Sequence, residues 1–169
     1  MEEAFLALAI LTNFTAIATG IMFILILINS NDALKRCKPE NRTMSPGLVF
    51  LNFIPVFNLV WGFITVVKVV QSLTKEYASF GETPSNGLSS LGIITEIIFI
   101  LTSIVAIPLY ILSEQAGDYV SSDEVAILLV LTVFTFLFTV ANLVVGFTYN
   151  AKLSKSHKYL LARLFTNAK

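Results

Sequence analysis

This chain of 169 residues has one cysteine, one histidine and few charges. Cys37 alone excludes an intrachain disulfide and any multi-cysteine metal site. His157, between Ser156 and Lys158, reads as a surface residue of a polar tail. Charged residues make up 13%, against about 25% in a typical soluble domain. Lys and Arg number 11, as do Asp and Glu, so there is no basic excess of the kind that binds nucleic acid. HExxH, a glycine-rich phosphate loop and a Gly-x-Ser-x-Gly elbow are also missing. The expectation is a protein that is not an enzyme, with no cofactor, no metal and no nucleic-acid partner.

What fills the chain is apolar: 56% of residues are hydrophobic and the mean hydropathy is +0.81. Four segments stand out, at about 4–28, 46–70, 91–112 and 125–149. Each is long enough to cross a hydrocarbon core of about 30 Å as a helix. The fold class expected is an all-α integral membrane protein. One membrane domain covers 1–150, and a basic amphipathic tail covers 151–169. Glu2 and Glu3 precede a long apolar run, which reads as a retained first helix rather than a secretory signal. Ala9, Asn13, Ala16 and Gly20 recur on one face of that helix, a pattern suited to close helix packing. Thr132, Thr135, Thr139, Asn142 and Gly146 form a similar stripe on the fourth segment. In the tail, Leu153, Leu160, Leu161, Leu164 and Phe165 share a face, so the tail is expected to lie on the membrane surface. The stretch 71–90, with its GETPSNG run, reads as a flexible loop.

Charge placement bears on topology. Basic residues fall in three clusters: Lys35, Arg36, Lys38 and Arg42; Lys68 and Lys75; and Lys152, Lys155, Lys158, Arg163 and Lys169. Were all four segments to span, the first cluster would face the other two across the membrane, against the tendency of positive charge to stay on the cytoplasmic side. Were the second segment to enter and leave on one side, all 11 basic residues would share that side. Glu2, Glu3, Glu114, Asp118, Asp123 and Glu124 would then lie opposite. Pro55 interrupts the second segment, with Asn52 and Asn58 flanking the break. Two forms remain open for it, a re-entrant or interfacial hairpin and a Pro-kinked span. The basic side, including the C-terminus, is expected to be cytoplasmic, with lysines reaching anionic lipid headgroups.

The stretch from Asn31 to Glu76 joins Asn-Asp-Ala-Leu-Lys-Arg, Met-Ser-Pro-Gly-Leu-Val, Asn-Phe-Ile-Pro-Val-Phe-Asn-Leu-Val-Trp and Val-Gln-Ser-Leu-Thr-Lys-Glu. It resembles small bacterial multi-pass membrane proteins of uncharacterised function, which share a basic loop, a Ser-Pro-Gly element and a Pro-x-x-Asn-Leu core. The resemblance implies a bacterial inner-membrane location and no catalytic residues.

Glu96 is the most informative single position, a carboxylate inside an apolar segment, where charge is costly. Gly92, Ser103 and Ala106 share its stripe. Lys68 is the basic residue expected to pair with it. The candidate intramembrane polar site is therefore Glu96, Lys68, Asn52, Asn58 and Asn142. Glu96 can serve as a structural anchor, line a pore in an oligomer, or relay protons or substrate. Cys37, beside Arg36 and Lys38, is in a position compatible with lipidation, and a free thiol in a reducing compartment is the preferred reading. The function expected is an oligomeric scaffold or membrane subunit of a larger complex. The alternative is a small oligomeric ion channel or transporter using Glu96.

Overall fold

The structure is a computed structural model and describes residues 2–115 and 122–166. Asp118 of the acidic loop and Lys169 of the tail lie outside the described residues. All regular structure among the described residues is helical. Helix α1 spans Glu2–Arg36, α2 Asn58–Ala78, α3 Leu88–Gln115 and α4 Ser122–Thr166. Two 3-10 helices, Pro39–Asn41 and Pro46–Phe53, lie between α1 and α2. Three stretches are long and apolar enough to cross a membrane: Leu6–Arg36, Leu88–Ser113 and Asp123–Thr166. The chain is thus a membrane-embedded helical protein with three candidate spans rather than four.

Two helices are longer than their apolar segments. α1 continues past Ile28 through Asn29, Ser30, Asn31 and Asp32 to Arg36, so the basic loop is shorter than its composition implies. Its end is capped by Arg42, whose Nε donates to the Cys37 carbonyl and Nη2 to that of Lys35, each at 2.8 Å. α4 runs unbroken for 45 residues and absorbs most of the expected tail. At 1.5 Å per residue it is about 68 Å long, more than twice a hydrocarbon core.

The second segment is not one helix. Pro46–Phe53 coils as a 3-10 helix, and the chain then turns at Pro55–Phe57 before α2 begins. The Phe57 amide donates to the Pro55 carbonyl at 2.7 Å. This three-residue turn is centred on Val56, whose φ is 64°. Such a conformation strains a β-branched residue. The interruption at Pro55 is thus a full break, with a 3-10 helix before it and α2 after it. The expected flexible loop also shrinks. α2 reaches Ala78, and Gly81, at φ 72°, turns the chain away from the helix end.

The chain divides into two compact units, Met1–Ile21 with Ile97–Val144, and Met22–Glu96 with Val145–Lys169. In the first, large apolar side chains such as Leu6, Phe14, Ile17, Ile104 and Tyr110 face outward. Thr132, Thr135, Thr139 and Asn142 are buried. Thr12, Thr15 and Thr19 bond back to carbonyls of their own helix, at 2.8 to 3.1 Å. Polar groups satisfied this way tolerate an apolar surrounding. In the second unit an aliphatic core forms from Ala33, Leu34, Val49, Val66, Val69, Leu73, Leu153 and Leu160 with Tyr77 and Tyr149. Leu153 and Leu160 therefore pack inside protein rather than on a membrane surface, while Leu164 and Phe165 are exposed.

Candidate functional site

The hairpin of the second segment is held closed by side chains. Trp61 Nε1 donates to the Leu48 carbonyl at 2.8 Å. Asn52 Nδ2 donates to the Val49 carbonyl at 2.7 Å and to Thr65 Oγ1 at 2.9 Å. Its tip is apolar and open, with Phe53, Ile54, Val56 and Val60 all at least half exposed.

On α2, Asn58, Gly62, Thr65, Val66, Val69, Leu73 and Glu76 follow steps of three and four and form its buried face. α3 meets this face through two reciprocal fits. A Cβ built on Gly62 would come 2.2 Å from Oε2 of Glu96, and one built on Gly92 would come 2.5 Å from Val66 Cγ1 and 3.0 Å from the Tyr149 ring. Each glycine receives the side chain that its partner helix projects, so the helices approach closely. The spacing of four on both helices, 62 to 66 against 92 to 96, makes them antiparallel here.

Glu96 is thus seated on the α2 backbone. Among the described residues it forms no ion pair; the pair present there joins Arg163 and Glu82. Lys68 is not its partner. Six residues separate Lys68 from Gly62, about 240° around the helix, which turns Lys68 to another side. The Lys68 carbonyl instead accepts from Thr43 Oγ1 at 2.7 Å and from Ser72 Oγ at 2.8 Å. Asn52 and Asn58 join Glu96 in the second unit, whereas Asn142 belongs to the first. Asn52 and Asn58 are 3% and 7% exposed, and the Oδ1 of each has no hydrogen-bond partner.

A second polar centre was not foreseen. Glu76 is buried, and its Oε2 accepts from the Lys38 amide and from Asn41 Nδ2, both at 2.8 Å. The Thr43 amide donates to Ser72 Oγ at 2.9 Å. These bonds lay the segment 37–45 flat on α2 and present Lys35 and Lys38 outward. Tyr77 Oη donates to the Ser156 carbonyl at 3.1 Å, and burial pushes the Tyr77 hydroxyl above its ordinary pKa. The loop after α2 is tied down by the Arg163–Glu82 pair and by Lys152 Nζ, which donates to the Asn86 carbonyl at 2.6 Å. The signal for Glu76 was present in the three-four spacing that puts it on the same stripe as Val69 and Leu73.

The burial of Cys37 bears on lipidation, and the placement of His157 differs from expectation. Cys37 is 1% exposed, and its Sγ lies 3.3 Å from the Ala33 carbonyl. Burial, with the Glu76 carboxylate adding to it, pushes its thiol to about 12. A buried, protonated thiol is a poor acceptor of a lipid chain. His157 is buried too, and neither ring nitrogen has a partner. Among the described residues no three of His, Cys, Asp and Glu come together in a metal-holding group.

The sequence model of a family described as a domain of unknown function, DUF4328, matches residues 2–154. No curated protein and no solved structure matches the chain.

Proposed function

Since the chain belongs to the DUF4328 family, whose description carries no activity, its role is read from its own residues, and we propose that it is an assembly protein of the bacterial inner membrane. In this reading it acts as an oligomeric scaffold or as the membrane subunit of a larger complex. The observation that carries it is the second unit. Its basic segment is a fixed platform, pinned to α2 through Glu76, Ser72 and the Lys68 carbonyl, with Lys35, Lys38 and Lys155 outward. A platform of this kind suits anionic headgroups or an acidic surface of a partner protein. An open face on α1 supports assembly. Asn13, Ala16 and Gly20 are exposed, and among the described residues nothing beyond the adjoining helix backbone lies within 4 Å of a Cβ built on Gly20. Small residues left open on a membrane helix permit a close neighbour.

Topology supports the same reading. With three spans and the hairpin returning to its side of entry, all 11 basic residues share one side. That side, with the C-terminus, is then cytoplasmic. The apolar hairpin tip dips into the membrane from that face.

The test is native mass spectrometry of the protein released in mild detergent, with cysteine cross-linking at Gly20 in a Cys37→Ser background. A defined multimer or a stoichiometric second subunit is expected, with cross-links through position 20 if copies meet there. A monomer without a second subunit would end the proposal. A second reading, a small oligomeric channel or transporter, is favoured by Glu96, which lies against Gly62 of α2 and forms no ion pair among the described residues. Ion flux through proteoliposomes, lost in Glu96→Gln while assembly persists, would select it.

A further inference from the structure

Within the second unit, α4 carries an open groove of about 650 Å³, lined by Ala151, Ser154, Lys155, Lys158 and Tyr159. Positions 147, 151, 154, 155 and 158 follow steps of three and four, so they stand on one face of the helix. Phe147, 62% exposed, is the apolar end of that face, and Lys155 and Lys158 are its charged end. The small side chain of Ala151 leaves room between them. Tyr159 is a fixed wall. Its ring stacks on Tyr77 at 5.4 Å between centroids, and its hydroxyl donates to Glu82 and accepts from Arg163. The charge in the groove is unbalanced. Lys155 and Lys158 are neighbours on the helix surface, where like charges repel. No carboxylate lines the groove. Among the described residues neither lysine forms an ion pair, and the Glu82 carboxylate is taken by Arg163. Lys152 is turned aside, with its ammonium on the Asn86 carbonyl.

The depth of the groove follows from helix length. From Val125 to Tyr149, about 37 Å of helix at 1.5 Å per residue, α4 carries no charge. That length crosses a hydrocarbon core of about 30 Å, and the headgroup layers bring the bilayer to about 40–45 Å. Ala151 to Lys158, about 10 Å of helix, therefore begins where the acyl chains end and the phosphates lie. We infer that the groove holds the headgroup of one anionic phospholipid of the bilayer, with its phosphate between Lys155 and Lys158 and an acyl chain running down over Phe147. A phosphate there relieves the repulsion between the two ammonium groups, and Ser154 adds a hydroxyl. A soluble phosphate uses the lysines alone and leaves Phe147 in the open, whereas a lipid uses both ends of the face. This site rests on the assembly reading only for its cytoplasmic placement.

The experiment is native mass spectrometry of the full-length protein released from nanodiscs of phosphatidylcholine with a minor share of phosphatidylglycerol. The ratio of bound phosphatidylglycerol to bound phosphatidylcholine is expected to exceed that of the bilayer by about tenfold. Lys155→Gln combined with Lys158→Gln should return the ratio to that of the bilayer. Ala151→Trp, which fills the groove and keeps both charges, should do the same. Lys75→Gln, exposed on α2, should leave it unchanged. Should Ala151→Trp not fold, the exposed lysine pair decides, since surface changes of this kind cost little stability. A bilayer ratio in the unmodified protein, or enrichment that survives the lysine pair, overturns the site. An equal loss in Lys75→Gln would mean diffuse surface charge and overturns it as well. Enrichment abolished by inorganic phosphate at constant ionic strength would assign the groove to a soluble anion instead. Groove variants that lose a second subunit and keep their lipid would make it a protein dock, again against the inference. The same spectra report the subunit count. A defined multimer without enrichment ends the lipid site alone, and a monomer that keeps its phosphatidylglycerol ends the assembly reading alone.

Discussion

The two units of this chain follow opposite rules of burial. In Met1–Ile21 with Ile97–Val144, the fully enclosed side chains are Thr132, Thr135, Thr139 and Asn142, while Phe14, Ile17 and Ile104 are more than half exposed. In Met22–Glu96 with Val145–Lys169, the enclosed residues include Leu34, Val69, Leu73 and Leu153, and the exposed ones include Lys35, Lys38, Lys75 and Lys155. The first pattern suits a solvent of acyl chains, where apolar residues gain nothing from being hidden and small polar ones pack helices together. The second includes a closed aliphatic core of the kind that water drives together, beside exposed apolar side chains such as Val56, Val60 and Phe147. One polypeptide therefore combines two kinds of packing. What holds the second unit together is ordinary core packing plus a small set of buried polar anchors.

If that contrast is right, the largest effects come from the anchors. Replacing Glu76 by Ala leaves the Lys38 amide and Asn41 Nδ2 without their acceptor. It should cost about 3 kcal/mol, read as a lower unfolding midpoint, and it should free segment 37–45 for proteolysis. Next comes Gly62→Ala, whose methyl meets the Glu96 carboxyl, at about 1 to 3 kcal/mol. Most of that cost should vanish in Gly62→Ala with Glu96→Ala. A cost that is unchanged in the double variant would show that the two positions do not share this space.

Cys37 tests enclosure directly. A membrane-permeant maleimide should label it only after denaturation, and labelling in the native protein would break the picture of a sealed core. Glu82 gives a milder, pH-dependent effect. The Tyr159 hydroxyl, and then Arg163, hold its carboxyl below the ordinary value of 4.5. Because the folded pKa is the lower one, the stabilisation is present above 4.5 and is lost as pH falls through the folded value. The midpoint difference between wild type and Glu82→Gln should accordingly shrink toward zero on acidification below 4.5. Smallest of all, Ile17→Val on the exposed face of α1 should change stability by less than about 0.5 kcal/mol. A loss several times larger would mean that another chain covers this face.

Sequence reading reached the apolar segments and the interruption at Pro55, because long hydrophobic runs and a missing backbone donor are local properties. Glu96 was legible for the same reason. Its neighbour was not. Lys68 is a sensible partner by charge, but helix phase turns it away, and the group that meets Glu96 is a glycine, which has no side chain to announce a contact. Helix ends were misjudged where polar residues continue a helix beyond its apolar stretch, as Asn29–Arg36 and Lys152–Thr166 do. Hydropathy registers the solvent around a residue and not the backbone beneath it. His157 was misplaced by its neighbours. Ser156 and Lys158 look like surface, yet a helix that turns one face inward buries every third or fourth residue whatever its chemistry.

The fit of Glu96 against Gly62 also has a genetic reading. Two positions, 34 apart in sequence, share one volume, so the allele tolerated at one is set by the allele at the other. A side chain gained at 62 would be harmful beside glutamate and acceptable beside alanine or glycine at 96. A screen for second-site revertants of a defective Gly62 variant should therefore return to position 96. Recovered strains would then have kept the packing and given up the carboxylate, which sets the need for a fold against the need for a charge in a single selection.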